Sequence, residues 1–229
     1  MSEPRVVHRD EALLVLAKPS GLPTTSPDDG DCLVRRAKAL DPDAPNLHPT
    51  SRLDAEVSGL VTFARTREAN RDVLGARERG AYRRLYVALA LASPSESRWT
   101  GPIAIDPRDP RKRRVHPDGK PSATRVELLA QSGEVRLLAL RPETGRTHQI
   151  RVHAAHAGCP ILGDRPYGGA KRLTLPNGRV LTARRTMLHC ARVELETAHA
   201  GTLRFADDPP DDFRALWLGE ESVFELDEE

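Results

Sequence analysis

Ser51-Arg52-Leu53-Asp54-Ala55-Glu56-Val57-Ser58-Gly59-Leu60 sets one carboxylate beside one arginine in a bend of small residues, and the apolar run Leu60-Val61-Thr62-Phe63-Ala64 follows without a break. A short apolar run bounded by such a bend reads as a buried strand. About ninety residues later, Arg141-Pro-Glu-Thr-Gly-Arg-Thr-His-Gln-Ile-Arg-Val-His153 supplies a glycine turn and two further arginines, Arg146 and Arg151. A guanidinium that hydrogen-bonds a carboxylate in a site shielded from water keeps it ionised. Asp54 with Arg151 or Arg146 therefore reads as a nucleophile with its electrostatic partner. The same residue types also form plain salt bridges between a loop and a helix, and spacing does not separate the two readings.

Working outward, Ala12-Leu-Leu-Val-Leu-Ala17 is an apolar run stopped by Lys18-Pro-Ser-Gly-Leu-Pro23, the pattern of a buried strand entering a rigid turn. Cys32 to Leu40 has near-helical apolar spacing. The strand Leu60 to Ala64 leads to Thr66, a predicted N-cap, and Ala69, Val73 and Ala76 share one face of a helix running to Arg79. In Arg84 to Leu91 the bulky residues Leu85, Val87, Leu89 and Leu91 alternate with Tyr86, Ala88 and Ala90. A strand there points Tyr86 away from the leucine face, which sets it apart from core filling.

Residues 92–122, rich in Pro, Ser, Arg and Asp, read as a loop excursion with a short strand near Ile103 to Ile105, a mobile basic finger. Thr124 to Ala130 and Val135 to Leu140 bracket a Gln-Ser-Gly-Glu turn and predict an antiparallel hairpin. From Thr147 to Ala157, Ile150, Ala154 and Ala157 recur at helical spacing until Gly158 and Pro160, which predicts an amphipathic helix with His148 and Arg151 on one face. Its N-terminus, following a glycine turn, presents N–H groups suited to an anion. A strand from Met187 to Leu195, a turn at His199-Ala-Gly201, a returning strand Thr202 to Phe205 and a short helix capped near Asp211 complete the reading, before an acidic, frayed tail after Ser222.

The 229 residues suffice for a substantial core, and one compact catalytic domain is expected. The net charge of +2 does not by itself announce a nucleic-acid partner, so clustering must carry that argument. It is present in Arg108-Asp-Pro-Arg-Lys-Arg-Arg114, with smaller basic groups at Arg83-Arg84, Lys171-Arg172 and Arg184-Arg185. Charge alone leaves RNA contact and a solvated loop both open. Cys32, Cys159 and Cys190 are odd in number and far apart, which disfavours a disulfide framework and predicts a reducing, cytoplasmic setting. The N-terminus lacks an apolar signal core, and no stretch approaches the roughly 20 apolar residues a membrane span needs. His148, His153 and His156 make no ligand set, because at about 100° per helical residue His153 lies far around from His148. No metal site is expected, and no phosphate-binding glycine loop, dinucleotide fingerprint or nucleophile elbow occurs.

Taken together, these segments resemble the RluA-type pseudouridine synthases. Lys18-Pro-Ser-Gly-Leu-Pro23 is similar to the family's early Lys-Pro-x-Gly turn. Ser51-Arg-Leu-Asp-Ala-Glu-Val-Ser-Gly59 resembles its catalytic loop, Arg84-Leu-Tyr-Val-Ala-Leu89 its Lys-x-Tyr strand, and Gly145-Arg-Thr-His-Gln-Ile-Arg-Val-His153 its third motif. Ile161-Leu-Gly-Asp164, Leu188-His-Cys-Ala191 and Phe205 to Phe213 look like its downstream signatures.

The resemblance implies an α+β fold: a mixed, mostly antiparallel sheet flanked by short helices and long loops, in a catalytic domain over residues 1–229 with an acidic tail at 220–229. It implies an isomerase acting on uridine in ribosomal or transfer RNA, with no cofactor, no membrane association and a monomer as the default. Asp54 would be the catalytic aspartate, Tyr86 the ring that packs on the target uracil and acts as base, and Arg151 the ion-pair partner. Arg52 would help displace the target base; Arg146, His148, Ile150 and Leu162 would bind substrate. No N-terminal S4-type domain is expected, because the Lys18 turn begins almost at once. Two departures stand out: Ser51 replaces the family's usual His and Val57 its usual Thr, so hydrogen bonds that hold the loop or touch RNA are expected to differ. A non-catalytic RNA-binding or RNA-folding protein on the same scaffold is the alternative those departures raise; an N-glycosidase acting on free nucleosides would use the same carboxylate without the basic cluster.

Overall fold

The computed structural model describes residues 2–26, 30–198 and 200–224. The chain forms two compact units, one from Met1–Arg84 with Cys190–Asp208, the other from Leu85–His189 with Pro209–Glu229. The class is α+β, with mostly antiparallel strands and few, short helices.

The first unit opens with β1 (Arg5–Arg9) and β2 (Leu13–Lys18), an antiparallel pair turned by Asp10, whose Oδ1 accepts from the N–H groups of Ala12 and Leu13. After α1 (Leu33–Leu40) and the two-residue β3 (His48–Pro49) comes β4 (Ser58–Ala64), buried along its whole length and antiparallel to β2, with Val61 opposite Leu16. A strand hidden on both faces needs no polar alternation, which is why Leu60 to Phe63 reads as one apolar run. Thr66 caps α2 (Arg67–Glu78) as predicted, its hydroxyl accepting from the Ala69 N–H at 3.0 Å. The buried face of α2 sets Val73 and Ala76 against Leu13 and Leu195.

In the second unit, β5 (Tyr82–Ala90, from Leu85 onward), β6 (Arg98–Thr100), β9 (Ala123–Ser132) and β10 (Val135–Pro142) lie in the order β5-β10-β9-β6. Tyr86 stands opposite Leu140. Every residue of β5 from Tyr86 to Ala90 is buried, so the alternation does not divide a core face from a functional one, contrary to expectation. Residues 92–122 are also more regular than a loop excursion: besides β6 they form a hairpin of β7 (Ile103–Asp106) and β8 (Asp109–Val115). That hairpin stands apart from the larger sheet with much of both faces in solvent, so its arginine-rich strand carries no apolar period for sequence reading to find.

The helix predicted from Thr147 begins later, as α3 (Gln149–His156), with His148 at its N-cap in the left-handed region at φ 56°. It is not amphipathic: Gln149 through Ala154 are all buried, while His148, at the N-cap, and Arg151 turn toward the same side chain, Tyr167, as their expected common face requires. A 3-10 turn (Arg165–Tyr167) and the small hairpin β11 (Arg172–Thr174) and β12 (Val180–Thr182) follow. The chain then completes the first unit with β13 (Leu188–Thr197, from Cys190 onward) and β14 (Gly201–Ala206). His199 of the predicted turn lies outside the described residues. In the second unit α4 (Asp211–Arg214) precedes a 3-10 turn (Glu221–Phe224), where the expected fraying is not seen, since Phe224 is buried against Phe213 and Trp217. The acidic residues 225–229 lie outside the described residues. No helix among the described residues is long and apolar enough to cross a bilayer.

Candidate active site

The first unit carries Asp54 on a loop whose backbone is tied on both sides. Lys18, 1% exposed, turns its ammonium inward and donates to the carbonyls of Leu22 at 2.7 Å, Pro19 at 3.0 Å and Ala55 at 3.2 Å. The Gly21 N–H, at a φ of 87° that favours glycine, donates to the same Ala55 carbonyl at 2.7 Å. Ser20 Oγ donates to the Glu56 carbonyl at 2.8 Å, and the Thr24 hydroxyl both donates to the Leu53 carbonyl and accepts from the Leu53 N–H. Asp54 closes a four-residue turn by accepting at its carbonyl from the Val57 N–H at 3.1 Å. Leu53, Ala55 and Glu56 are thus all held by the Lys18–Thr24 turn, while the Asp54 side chain remains half-buried and Arg52 exposed.

The two unusual residues of this loop take structural parts. Ser51 Oγ accepts from the Thr62 N–H at 3.0 Å and lies 3.2 Å from the Thr62 hydroxyl, tying the loop to β4. Val57 is buried in the core. The support of the loop is thus supplied by a serine-to-strand bond and an apolar anchor. Just beyond, Gly59 at φ 111° passes so close to β13 that a Cβ would lie 2.3 Å from the Cys190 carbonyl oxygen, leaving room for glycine alone.

The second unit carries the remaining predicted residues. Arg151 is 2% exposed on α3 and forms a two-bond fork with Asp164, Nε and Nη2 each 2.8 Å from a carboxylate oxygen. Its guanidinium carbon lies 5.0 Å from the centre of the Tyr167 ring. Asp164 is fully buried, and a buried fork of this kind is rigid because removing either charge strands the other. Asp164 closes the Ile161–Asp164 motif, and its pairing with Arg151, thirteen positions earlier, has no signature in the spacing.

Ahead of α3, Gln149 satisfies its whole amide. Its Oε1 accepts from the Thr144 hydroxyl at 2.6 Å and the Arg146 N–H at 3.0 Å, while Nε2 donates to the Ala123 carbonyl and Thr124 Oγ1. The helix entry is therefore locked to β9. His148 Nδ1 lies 2.7 Å from the Tyr167 hydroxyl. Arg146 is exposed, with Nε donating to the Pro121 carbonyl at 3.2 Å. Ile150 is buried on the helix, and Leu162 is buried between two backbone bonds, donating to the Leu89 carbonyl and accepting from the Met187 N–H at 2.8 Å each. Tyr86 is 4% exposed.

His153 is a buried, hydrogen-bonded joint rather than part of the helix surface. Its Nδ1 is 3.0 Å from Thr124 Oγ1, and its Nε2 is 3.1 Å from Ser122 Oγ and 3.2 Å from the Gly101 carbonyl. Burial pushes its pKa down, and the neighbouring His156 adds to the effect against the Gly101 carbonyl. Among the described residues no group of three or more His, Cys, Asp or Glu is placed to hold a metal ion.

The model of the family described as RNA pseudouridylate synthase matches residues 12–156, a span that contains both the Asp54 loop and α3. An uncharacterized RNA pseudouridine synthase from Chloroflexus aurantiacus is 40% identical over 151 residues, which cover 66% of this chain and 43% of that protein. Ribosomal large subunit pseudouridine synthase D from Xanthomonas campestris is 34% identical over 226 residues, 92% of this chain and 67% of that protein. The chain thus spans from about two fifths to two thirds of the length of these relatives. Among solved structures, human RNA pseudouridylate synthase domain containing 1 superposes with a TM-score of 0.72 at 24% identity, over 92% of this chain and 84% of that one, a likeness of fold. By the matched span and these relatives, the chain belongs to the RNA pseudouridylate synthase family.

Proposed function

We propose that the chain isomerises uridine to pseudouridine within ribosomal or transfer RNA, with Asp54 as the catalytic carboxylate. The observation that carries this reading is the clamp around Asp54. Three neighbouring residues have backbone groups bound to the Lys18–Thr24 turn, while the carboxylate they flank stays half-buried. A charge held in a fixed place stabilises a developing cation better than water that must reorient.

Uridine and pseudouridine are isomers, so no atom is added or lost overall. The C1′–N1 bond is unreachable inside a helix, and the nucleotide must leave the stack at an unstacking cost of a few kcal/mol. Arg52 occupies the vacated space. Asp54 assists cleavage by attack at C1′ or by taking a C2′ proton, and the uracil turns; C5 then bonds to C1′ as the Asp54–C1′ bond breaks or the C2′ proton returns, and C5 loses its proton while N1 gains one. Tyr86 packs on the uracil and serves as base, and Arg151 keeps the carboxylate ionised. Arg146, His148, Ile150 and Leu162 contribute to holding the nucleotide. The exposed arginines of the β7–β8 hairpin add electrostatic affinity for phosphates. A cytoplasmic setting and a chain acting as a monomer belong to the same proposal; the burial of all three cysteine thiols is compatible with a reducing compartment.

The bonds made by Ser51 and the packing of Val57 favour this reading over a non-catalytic RNA binder, since both departures leave the loop supported. The test is a carbodiimide-based pseudouridine map of cellular RNA with and without the chain. Sites that vanish in its absence support the proposal; identical maps reject it.

A further inference from the structure

The β7–β8 hairpin and Arg151 meet at one side chain within the second unit. Tyr167 accepts at its hydroxyl from the backbone N–H of Arg113, on the basic strand β8, at 2.9 Å. The same hydroxyl lies 2.7 Å from His148 Nδ1, and the two rings meet edge-on at 5.7 Å. The face of the ring supports the Arg151 guanidinium at 5.0 Å. Arg151 is also forked to Asp164, the residue at the N-cap of Tyr167's own 3-10 turn.

The segment that presents Tyr167 is packed closely against neighbouring backbone. Gly163 and Gly169 approach backbone so closely that a Cβ at either would lie 1.9 Å from a carbonyl oxygen, of Arg185 and Ile161 respectively. The Tyr167 N–H donates to the Asp164 carbonyl at 3.0 Å, fixing ring and carboxylate to one another. His148 is held in a left-handed conformation unfavourable for a non-glycine residue, which persists only where its surroundings over-determine it, and its contact with Tyr167 is part of that constraint.

Resting on the proposed function, we infer that Tyr167 is a positioning residue that couples the basic hairpin to the catalytic arginine: its hydroxyl seats the hairpin, and its ring sets the orientation of Arg151. The two duties belong to different atoms and can be separated. Tyr167→Phe keeps the ring and removes the hydroxyl; Tyr167→Leu removes both.

The experiment uses the full chain and, as probe, total RNA from cells lacking it, with pseudouridine formation followed against enzyme concentration under single-turnover conditions. Tyr167→Phe should raise the half-saturating concentration by about fivefold or more while the maximal rate stays within about threefold, and Tyr167→Leu should in addition lower the maximal rate by about a hundredfold. Amide exchange supplies an arm independent of turnover: the Arg113 N–H should exchange faster in Tyr167→Phe, while the backbone amides around Arg151 and Asp164 stay as protected as in the unmodified chain. Equal loss of maximal rate in both variants with unchanged half-saturation, or an Arg113 amide indifferent to the loss of the hydroxyl, overturns the inference. Absence of product from the unmodified chain would instead remove the proposed function, and the exchange measurement would still decide whether Tyr167 seats the hairpin.

Discussion

The ammonium of Lys18 and the carbonyl of Ala55, 3.2 Å apart, join the first rigid turn of the chain to the residue that follows Asp54. Lysine is seldom fully buried, and here its ammonium is hydrogen-bonded to backbone carbonyls.

Lys18→Met should keep the length of the side chain and lose all three bonds. Hydrogen bonds to charged groups are worth about 1.5–3 kcal/mol each, and their losses in one cluster are not additive, so a destabilisation of about 2–4 kcal/mol is expected in a denaturant titration. The loop should also lose its fixed geometry, lowering the maximal rate more than RNA affinity. A variant as stable and as fast as the parent would show that the clamp has no consequence.

Asp164→Asn tests the buried fork. The substitution preserves shape but removes the negative charge from the Arg151–Asp164 fork, at a cost of about 3–5 kcal/mol for breaking such a pair. Equilibrium unfolding measures this, and a change below about 1 kcal/mol would mean that the guanidinium finds equivalent stabilisation elsewhere.

His153 gives a signed pH dependence. Its folded pKa lies below that of a free imidazole, about 6.5, because burial penalises the charged ring. Above that pH both folded and unfolded forms are neutral and the group is silent. As pH falls below it, the unfolded chain takes up a proton that the folded chain resists, so stability declines, by at most about 1.4 kcal/mol per unit for one proton. His153→Gln offers hydrogen bonds without titrating in this range, and the difference between the two stability curves should therefore flatten above pH 6.5 and open below it. Parallel curves from pH 5 to 8 would contradict the assignment.

What could be read in the sequence was what is local. The Lys18 turn, the Asp54 bend and the β4 run are contiguous patterns, and the Thr66 cap lies three residues from the N–H it binds. The partners that organise the rest are remote. Nothing in the spacing reveals that Arg151 forks to Asp164, that the Arg113 amide ends on Tyr167, or that Gln149 locks the helix to β9. The spacing of Ile150 and Ala154 revealed the helix α3 but not that polar Gln149, Arg151 and His153 are buried with them, and the β7–β8 hairpin, largely in solvent, had no apolar pattern to show. Ser51 illustrates the converse: it looked like a missing histidine and proved to be a bond to Thr62.

The central claim rests on the carboxylate at position 54. The direct measurement is pseudouridine formation by Asp54→Asn on total RNA from cells lacking the chain, with RNA affinity measured on the same preparation. The account predicts no detectable product and an affinity within several fold of the parent, because the amide keeps the shape of the side chain and loses only its charge and basicity. Turnover near that of the parent would contradict it.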